Sequence, residues 1–251
     1  MGLQRTSAII LNHQDFGESD KIVTFFSPSF GKIKGIAKGA KNSRKRFANQ
    51  LELFSLVRAI FFEKSSSLSR IEECDVLESF GSIREAPLKY AYSAYFSELV
   101  DSAVKECDPH TELFHLLVWA FRCIDQGASL GRLSVLFQVR LLSIIGYAPT
   151  LTTCTGCQLW KEGNIYYSFN HEKGGILCPE CSPGYASNRL SPGILKVLSL
   201  AQRMPIDKLS RLQFGSQSLS EAEQILETFT QNVIGKEIKS LRFLSQTRKF
   251  V

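Results

Sequence analysis

Two C-x-x-C pairs constrain the fold of this 251-residue chain more strongly than any other feature of its sequence. Cys154 and Cys157 form the first pair, and Cys178 and Cys181 form the second, after residues 158–177. Two thiolates from each of two tight turns can complete a tetrahedron around a zinc ion. So short a module buries little apolar surface, and structural zinc contributes about 10–16 kcal/mol to the folding of such units. We therefore predict a zinc ribbon or knuckle over residues 151–182, with structural Zn²⁺ held by these four cysteines.

The cysteine count also favours a reducing, cytoplasmic location. Seven cysteines, four of them in tight pairs, are more typical of metal binding in the cytosol than of disulfide bonds. Cys74, Cys107 and Cys123 are isolated, and we expect them to be small buried apolar residues. The longest apolar runs, such as residues 116–121, are far shorter than the roughly 18 residues of a membrane span. The start of the chain has no secretory signal pattern.

The first 80 residues carry short apolar segments that are typical of a small β-barrel. Strands are predicted at residues 8–11, 22–26, 51–62 and 71–77, with a further, lysine-bearing strand that begins at Gly31. This number and size of strands fit the OB-fold, a five-stranded barrel whose open face binds oligonucleotides. The pattern is equally compatible with an SH3-like barrel.

A concentrated positive segment runs from Gly31 to Phe47. Residues 21–51 contain eight basic residues and no acidic one, although the net charge of the whole chain is only +6. Ile33 and Ile36 are predicted to point into the core while the neighbouring lysines face solvent, and residues 39–46 are predicted to be a loop. Such a local field suits a phosphate polymer, because each neutralised phosphate releases condensed counterions.

We therefore predict phosphate contacts from seven residues of this segment: Lys32, Lys34, Lys38, Lys41, Arg44, Lys45 and Arg46. The alternative is an edge strand that lysines protect from aggregation. Edge protection explains alternating lysines but not the further basic run to Arg46, so we favour nucleic acid.

After Gly81 the periodicity becomes helical. Helices are predicted over residues 92–103, 113–124 and 130–145, and the third is apolar almost all round and should be central. Beyond the cysteines, Ser191 is predicted to cap a helix that begins at Pro192, while Ser220 and Glu223 form a capping box that opens a last helix to about residue 244. The predicted class is α+β multidomain: an OB-fold barrel at 1–80, and a helical domain at 82–150 and 183–251 that the zinc module interrupts.

Three features together resemble the RecO family of bacterial DNA repair proteins. They are F-G-E-S at residues 16–19, A-K-G-A at 37–40 with the basic cluster after it, and the inserted four-cysteine module. The resemblance covers nearly the whole chain in order. It implies an OB-fold that binds single- and double-stranded DNA, and a recombination mediator of the RecFOR pathway that anneals complementary strands. With RecR, such a mediator helps RecA to displace single-strand-binding protein, in the cytoplasm at the nucleoid.

The third predicted helix carries two arginines on an otherwise apolar surface. At about 100° per residue, Arg132, Leu136 and Arg140 fall in one strip. The resemblance implies that the C-terminal tail of single-strand-binding protein, which is acidic and ends in an apolar residue and a carboxylate, docks on the protein. Because arginine binds carboxylates bidentately, we predict that Arg132, Leu136, Phe137 and Arg140 capture this tail. Alternatively, the arginines extend to solvent or pair with acidic residues of neighbouring helices.

The sequence contains no motif that indicates catalysis, and we expect a protein that is not an enzyme. A zinc deaminase requires H-x-E, whereas His171 and Glu172 are adjacent here, and a closed four-thiolate site leaves no open position for water. No phosphate-binding loop of the G-x-x-x-x-G-K type occurs. A zinc-ribbon protein that binds RNA or assists translation is the main alternative. A scaffold whose basic face holds an acidic protein is a third possibility.

Overall fold

The computed structural model describes residues 2–44, 46–62, 68–161, 163–183 and 189–250, with the side chains of 216–218 left aside. The chain forms two compact units: Met1–Gln126 with Ile238–Val251, and Gly127–Glu237. The predicted helical domain at 82–150 and 183–251 coincides with neither unit, and those domain boundaries stay a prediction.

The N-terminal part is a closed five-stranded barrel. Its strands are β1 (Leu3–Phe16), β2 (Asp20–Ser27), β3 (Gly31–Ala37), β4 (Leu56–Phe62) and β5 (Ser69–Glu78). They close in the order β1-β2-β3-β5-β4, in which β3 and β5 are parallel and every other pair is antiparallel. This architecture confirms the α+β class with an N-terminal barrel of the OB type.

The barrel differs from the sequence prediction in two places. Residues 51–55 are not part of a strand, because Phe54 is buried in a left-handed conformation (φ 70°) and donates its backbone N–H to the Ile10 carbonyl at 2.9 Å. The prediction that Ile36 points into the core was also wrong. In β3 the odd-numbered residues are buried, so Ile36 shares its partly exposed face with Lys32 and Lys34.

Seven α-helices lie within the described residues. They are α1 (Gly81–Glu85), α2 (Pro87–Ala103), α3 (Thr111–Asp125), α4 (Leu130–Ile144), α5 (Pro192–Arg203), α6 (Ser216–Ile234) and α7 (Lys239–Thr247). In the barrel unit, α2 packs against α3 and α7. None of the described helices combines the length and the apolar character that crossing a membrane requires.

In the second unit, α4 packs against α5 and α6, and a small sheet lies beside them. Its strands β6 (Tyr167–Asn170), β7 (Gly175–Leu177) and β8 (Arg189–Leu190) pair in the order β7-β6-β8. The predicted helix start at Ser191 is confirmed, since its hydroxyl accepts the backbone N–H of Ile194 at 3.4 Å. The capping box at Ser220 was wrong, because α6 already begins at Ser216. Helix α6 ends just before Gly235, whose backbone is left-handed (φ 67°) and separates α6 from α7 along the chain.

Two of the three isolated cysteines are covered by the fold. Cys74 is buried in the barrel core and Cys123 is partly buried, whereas Cys107 is exposed with a left-handed backbone. The expectation that Cys107 is buried was therefore wrong. This residue lies in the connection between α2 and α3, and its backbone N–H is bonded to the Lys32 carbonyl at 3.0 Å. The connection thus runs alongside the start of β3.

Gly31 is where this connection comes closest to the barrel. Its φ is +63°, and a Cβ atom there would lie 2.2 Å from the Asp108 carbonyl oxygen. Gly39 has a similar φ of +69°, but a Cβ atom there would meet nothing within 4 Å. A side chain at either position would therefore adopt the same unfavourable left-handed backbone. Only at Gly31 would its Cβ atom also collide with the backbone of Asp108.

We predict that Gly31→Ala destabilises the protein more than Gly39→Ala. Left-handed backbone costs an alanine about 1–2 kcal/mol at either position, and the backbone collision at Gly31 adds an overpacking cost of about 1–3 kcal/mol. Urea unfolding followed by circular dichroism measures both free energies. Equal losses in the two variants would contradict the close packing of residue 108 on β3.

Candidate metal centre and nucleic-acid interface

The fold brings the four predicted cysteines together. The Sγ atoms of Cys154, Cys157, Cys178 and Cys181 all lie within 4.8 Å of one another, and those of Cys157 and Cys178 are 3.9 Å apart. Zinc–sulfur bonds of about 2.3 Å in a tetrahedron place the sulfurs roughly 3.8 Å apart. The spacing and the soft donor set therefore fit a tetrahedral metal ion, and this cluster could hold one.

Backbone hydrogen bonds hold the two cysteine turns in place. Thr155 donates its N–H to the Ile176 carbonyl at 2.8 Å, and Ile176 donates to the Thr150 carbonyl at 3.0 Å. β7 thus lies beside the segment that leads into the first pair. At Gly156 a Cβ atom would lie 3.0 Å from the Cys181 sulfur, so any larger residue would require the second pair to shift by a few tenths of an ångström.

Backbone N–H groups stabilise negative charge on the sulfur atom of Cys154. Burial alone would raise the pKa of the Cys154 thiol, but N–H groups that include those of Cys178 and Gly156, each 3.3 Å from its sulfur, lower that pKa to about 6. The hydrogen bond with the Cys178 thiol raises the pKa of Cys181 to about 12. The metal-free cluster therefore ionises in steps. A metal must displace the remaining protons, so its affinity should fall as the pH falls.

We predict that protein purified without chelator carries one metal ion per chain and that Cys178→Ser loses it. A metal present at several hundred times its dissociation constant stabilises the folded chain by about 3–4 kcal/mol, so this variant should also melt earlier. Elemental analysis and calorimetry measure the two effects. Cys123→Ser, which removes a partly buried cysteine outside the cluster, should keep the metal. Parent protein with much less than one equivalent would contradict the assignment.

The basic loop is fixed to the barrel through the two motifs at residues 16–19 and 37–40. The Asp20 carboxylate accepts the backbone N–H of Gly39 at 2.8 Å, and Lys41 donates its backbone N–H to the Ser19 carbonyl at 2.9 Å. The Lys41 ammonium also reaches the Gly17 carbonyl at 3.1 Å. The β1–β2 turn and the loop after β3 therefore form one connected surface.

Acidic residues from elsewhere in the chain pair with four of the seven predicted phosphate contacts. The N–O distances are 3.1 Å for Lys32–Asp101, 2.9 Å for Lys34–Glu106, 3.2 Å for Lys41–Asp15 and 3.8 Å for Arg46–Glu72. Lys38 and Arg44 are exposed and form no ion pair with any described residue. Lys45 lies outside the described residues.

The four paired cations differ in how available they are. The Lys32 side chain is only 12% exposed and also donates to the Asp101 carbonyl at 2.7 Å, so it holds the end of α2 to β3. Lys34 and Glu106 are both about half exposed. Their hydrogen bond raises the pKa of the lysine and lowers that of the glutamate. Because exposed pairs contribute little to stability, Lys34 can exchange its partner for another anion.

A polar cleft of about 640 Å³ lies beside the loop. Lys21, Lys41 and Arg44 line it together with Asp15 and Glu52. Sequence reasoning did not assign Lys21 to the site. Lys21 pairs with Ala37 in the antiparallel β2–β3 ladder, which places it beside the loop. This pairing is known only once the register of β2 and β3 is known.

The aromatic residues of the barrel mostly serve the core. Phe25, Phe26, Phe47 and Phe54 are all buried, and the Arg46 guanidinium lies 4.6 Å from the Phe47 ring centre. Phe16, in the first of the two motifs, is 50% exposed and was not singled out from the sequence. It is a candidate for stacking beside the basic loop.

The four residues predicted to capture a peptide tail divide into two groups. Arg132 donates to the Gln213 side chain at 2.6 Å, and Arg140 donates to the backbone carbonyl of Gln202. Leu136 and Phe137 are buried, at 1% and 0% exposure, because α4 is covered by α5 and α6. These two residues are therefore not accessible to a peptide tail, as their predicted role would require.

An apolar cleft of about 480 Å³ does lie in the same unit. It is lined mainly by Leu151, Trp160, Leu195 and Leu200, with Lys196 as its cation. Trp160 and Leu200 are 41% and 47% exposed. The cleft runs along α5, the helix whose end accepts the hydrogen bond from Arg140.

These features define an OB-fold barrel protein with a basic loop and a separate four-cysteine centre. The family models for the N terminal and C terminal of Recombination protein O match residues 1–80 and 84–242. The chain belongs to the RecO family. It is 34% identical to the DNA repair protein RecO of Syntrophus aciditrophicus over 98% of this chain and 96% of that protein. It is 30% identical to that of Bacillus pumilus, with 97% and 94% covered.

Proposed function

We propose that the protein is a DNA-binding recombination mediator that acts in DNA repair and is not an enzyme. The observation that carries this proposal is the basic loop on an OB-type barrel, in a chain of the RecO family. Its exposed Lys38 and Arg44 form no ion pair with a described carboxylate, although Lys38 is close enough to Asp20 to help lower the pKa of that carboxyl group. Phosphates can therefore act as their counter-ions.

The loop would follow the DNA backbone without reading its sequence. Lys34, Lys41 and Arg46 would exchange their carboxylates for phosphates, while Lys32 would stay with Asp101. Neutralising phosphates lowers the repulsion between two complementary strands and so favours annealing. Together with RecR, the protein would then help RecA to replace single-strand-binding protein at the nucleoid.

The salt dependence of DNA binding tests this proposal. If about five phosphates are neutralised, log K for single strands should fall with log salt with a slope near −3.5. The Lys38→Ala/Arg44→Ala double variant should flatten this slope by about 1.4, at about 0.7 for each lost contact, and should weaken all sequences alike. The matched Lys173→Ala/Arg211→Ala variant removes two exposed cations from the second unit and should leave the slope unchanged.

The same titration separates the alternatives. An unchanged slope in the Lys38→Ala/Arg44→Ala variant would place the DNA site elsewhere. A clear preference for RNA over DNA would favour the RNA-binding or translation-associated alternative. Little affinity for either polymer at physiological salt would favour a scaffold for an acidic protein.

We propose that the metal is structural Zn²⁺ on Cys154, Cys157, Cys178 and Cys181. Four thiolates close the coordination shell, so the ion would hold the two turns together and supply no catalytic water. His171 does not compete for it, since its ring lies against Phe169 and Phe229. The ion would thus stabilise the insertion more than it affects DNA affinity.

We also propose a second site, for the C-terminal tail of single-strand-binding protein, around Arg132 and Arg140. The arginines would bind the acidic residues and the terminal carboxylate, and the cleft along α5 would take the apolar end in place of Leu136 and Phe137. The hydrogen bonds that Arg132 and Arg140 already make would hold their side chains in place.

We predict that Arg140→Ala and Arg132→Ala each weaken binding of a tail peptide about tenfold or more, because a hydrogen bond to a charged group contributes about 1.5–3 kcal/mol. Fluorescence titration of a labelled peptide measures the change. DNA affinity should stay at the parent level, and the exposed Arg211→Ala should bind the peptide normally. Peptide affinity within a factor of two of the parent, in folded variants, would refute this site.

A further inference from the structure

The last turns of the chain form a second cationic surface, which the proposal above does not use. Residues 238–251 contain four basic residues and no acidic one. Lys239, Arg242 and Lys249 are exposed and form no ion pair with a described residue. The fourth, Arg248, is bonded to the Tyr92 hydroxyl at 3.1 Å. Unlike the paired cations of the barrel loop, the side chains of these three residues can bind an anion without first breaking an ion pair with a described carboxylate.

Two exposed phenylalanines lie among these cations. Phe243 is 44% exposed and Phe250 is 88% exposed, the highest value among the large hydrophobic residues of the described chain. At about 100° per residue, positions 239, 242, 243, 249 and 250 fall within about 120° of one another. Turn hydrogen bonds from Lys249 to the Gln246 carbonyl and from Phe250 to the Thr247 carbonyl continue the coil beyond α7. The cations and the rings therefore share one face, which we name the C-terminal face.

The opposite side of α7 is anchored. Leu244 is fully buried, and the Glu98 carboxylate of α2 accepts the backbone N–H groups of Lys239 at 3.0 Å and Ser240 at 2.7 Å. A carboxylate at a helix N-terminus is favourable because it meets the positive end of the helix dipole. With Arg248 bonded to Tyr92 near the other end, α7 is held along its length. The exposure of the C-terminal face is therefore a property of the packed helix.

We propose that the C-terminal face, formed by Lys239, Arg242, Phe243, Lys249 and Phe250, is a second binding surface for single-stranded DNA. The side-chain cations of this face form no ion pair with a described carboxylate, although the Glu98 carboxylate lies at the backbone start of α7, and such cations attract a polyanion. Exposed phenyl rings bind the faces of unstacked bases, which single strands offer and duplexes do not. The face spans about 16 Å along the helix axis, at about 1.5 Å for each residue.

This inference rests on the proposed function and deepens it. One cationic surface can hold one strand, whereas annealing requires two complementary strands on the protein at the same time. The barrel loop would follow phosphates with few exposed rings, and the C-terminal face would hold a strand through both phosphates and bases. A chain with both surfaces can hold the two strands separately before they pair.

The test uses full-length variants and fluorescein-labelled oligothymidylate. Phe243→Ala/Phe250→Ala should bind a second oligothymidylate per chain at least tenfold more weakly than the parent does, and duplex DNA within twofold of the parent, because only the single strand offers unstacked bases. Phe243→Tyr/Phe250→Tyr should restore single-strand binding. Arg242→Ala/Lys249→Ala should flatten the salt slope by about 1.4. As a matched control, Tyr147→Ala/Tyr166→Ala removes two exposed aromatics from the second unit and should change neither quantity.

The outcomes also separate this inference from the proposal on which it rests. Parent protein that fails to bind oligothymidylate would overturn both. Parent binding that needs Lys38 and Arg44 but stays within twofold when the two phenylalanines are removed, in variants with unchanged melting temperature, would overturn the C-terminal face alone. The same would follow if those variants lost only binding to vesicles that contain phosphatidylserine, since the face would then be a lipid contact.

Discussion

The barrel depends on a partner for β3 that comes from outside the barrel. β3 pairs with β5 at only two positions, Gly35 with Ser69 and Ile36 with Arg70. Its first half is covered by the α2–α3 connection, through a bridge between Lys32 and Glu106 and the close approach of residue 108 to Gly31. The end of α2 supplies Asp101 and the connection supplies Glu106, so the contact that completes the barrel also pairs two cations of the basic strand with carboxylates.

Much of the fold could be predicted because its signals are local. Alternation identified β3, helical periodicity identified α2, α3 and α4, and the Ser191 cap identified the start of α5. The errors arose where tertiary contacts overrode the local pattern. Phe54 is apolar like a strand residue but adopts a left-handed backbone, and its ring packs against Tyr90 and Phe121. The capping-box sequence at Ser220 lies inside α6, which begins at Ser216.

The candidate sites could likewise be predicted where their signals are local, and not where they depend on tertiary contacts. The spacing of the four cysteines along the chain indicates a metal site, so all four residues of the cluster could be predicted from the sequence. The basic segment was also visible, but its carboxylate partners lie far along the chain, from Asp15 to Glu106, and only the fold places them there. Leu136 and Phe137 were predicted to contact the peptide tail but are buried, because a helical strip in the sequence does not show whether neighbouring helices cover it.

Because of the ion pairs along β3 and its loop, a ligand must displace carboxylates before it can bind the paired cations. Any anion that binds Lys34, Lys41 or Arg46 replaces a carboxylate that is already there, so each contact contributes only the difference between two similar interactions. A single phosphate gains little from such an exchange. A polymer replaces several carboxylates in one binding event, and its advantage grows with its length. The three paired cations are therefore better suited to a polymer of phosphates than to a single phosphate.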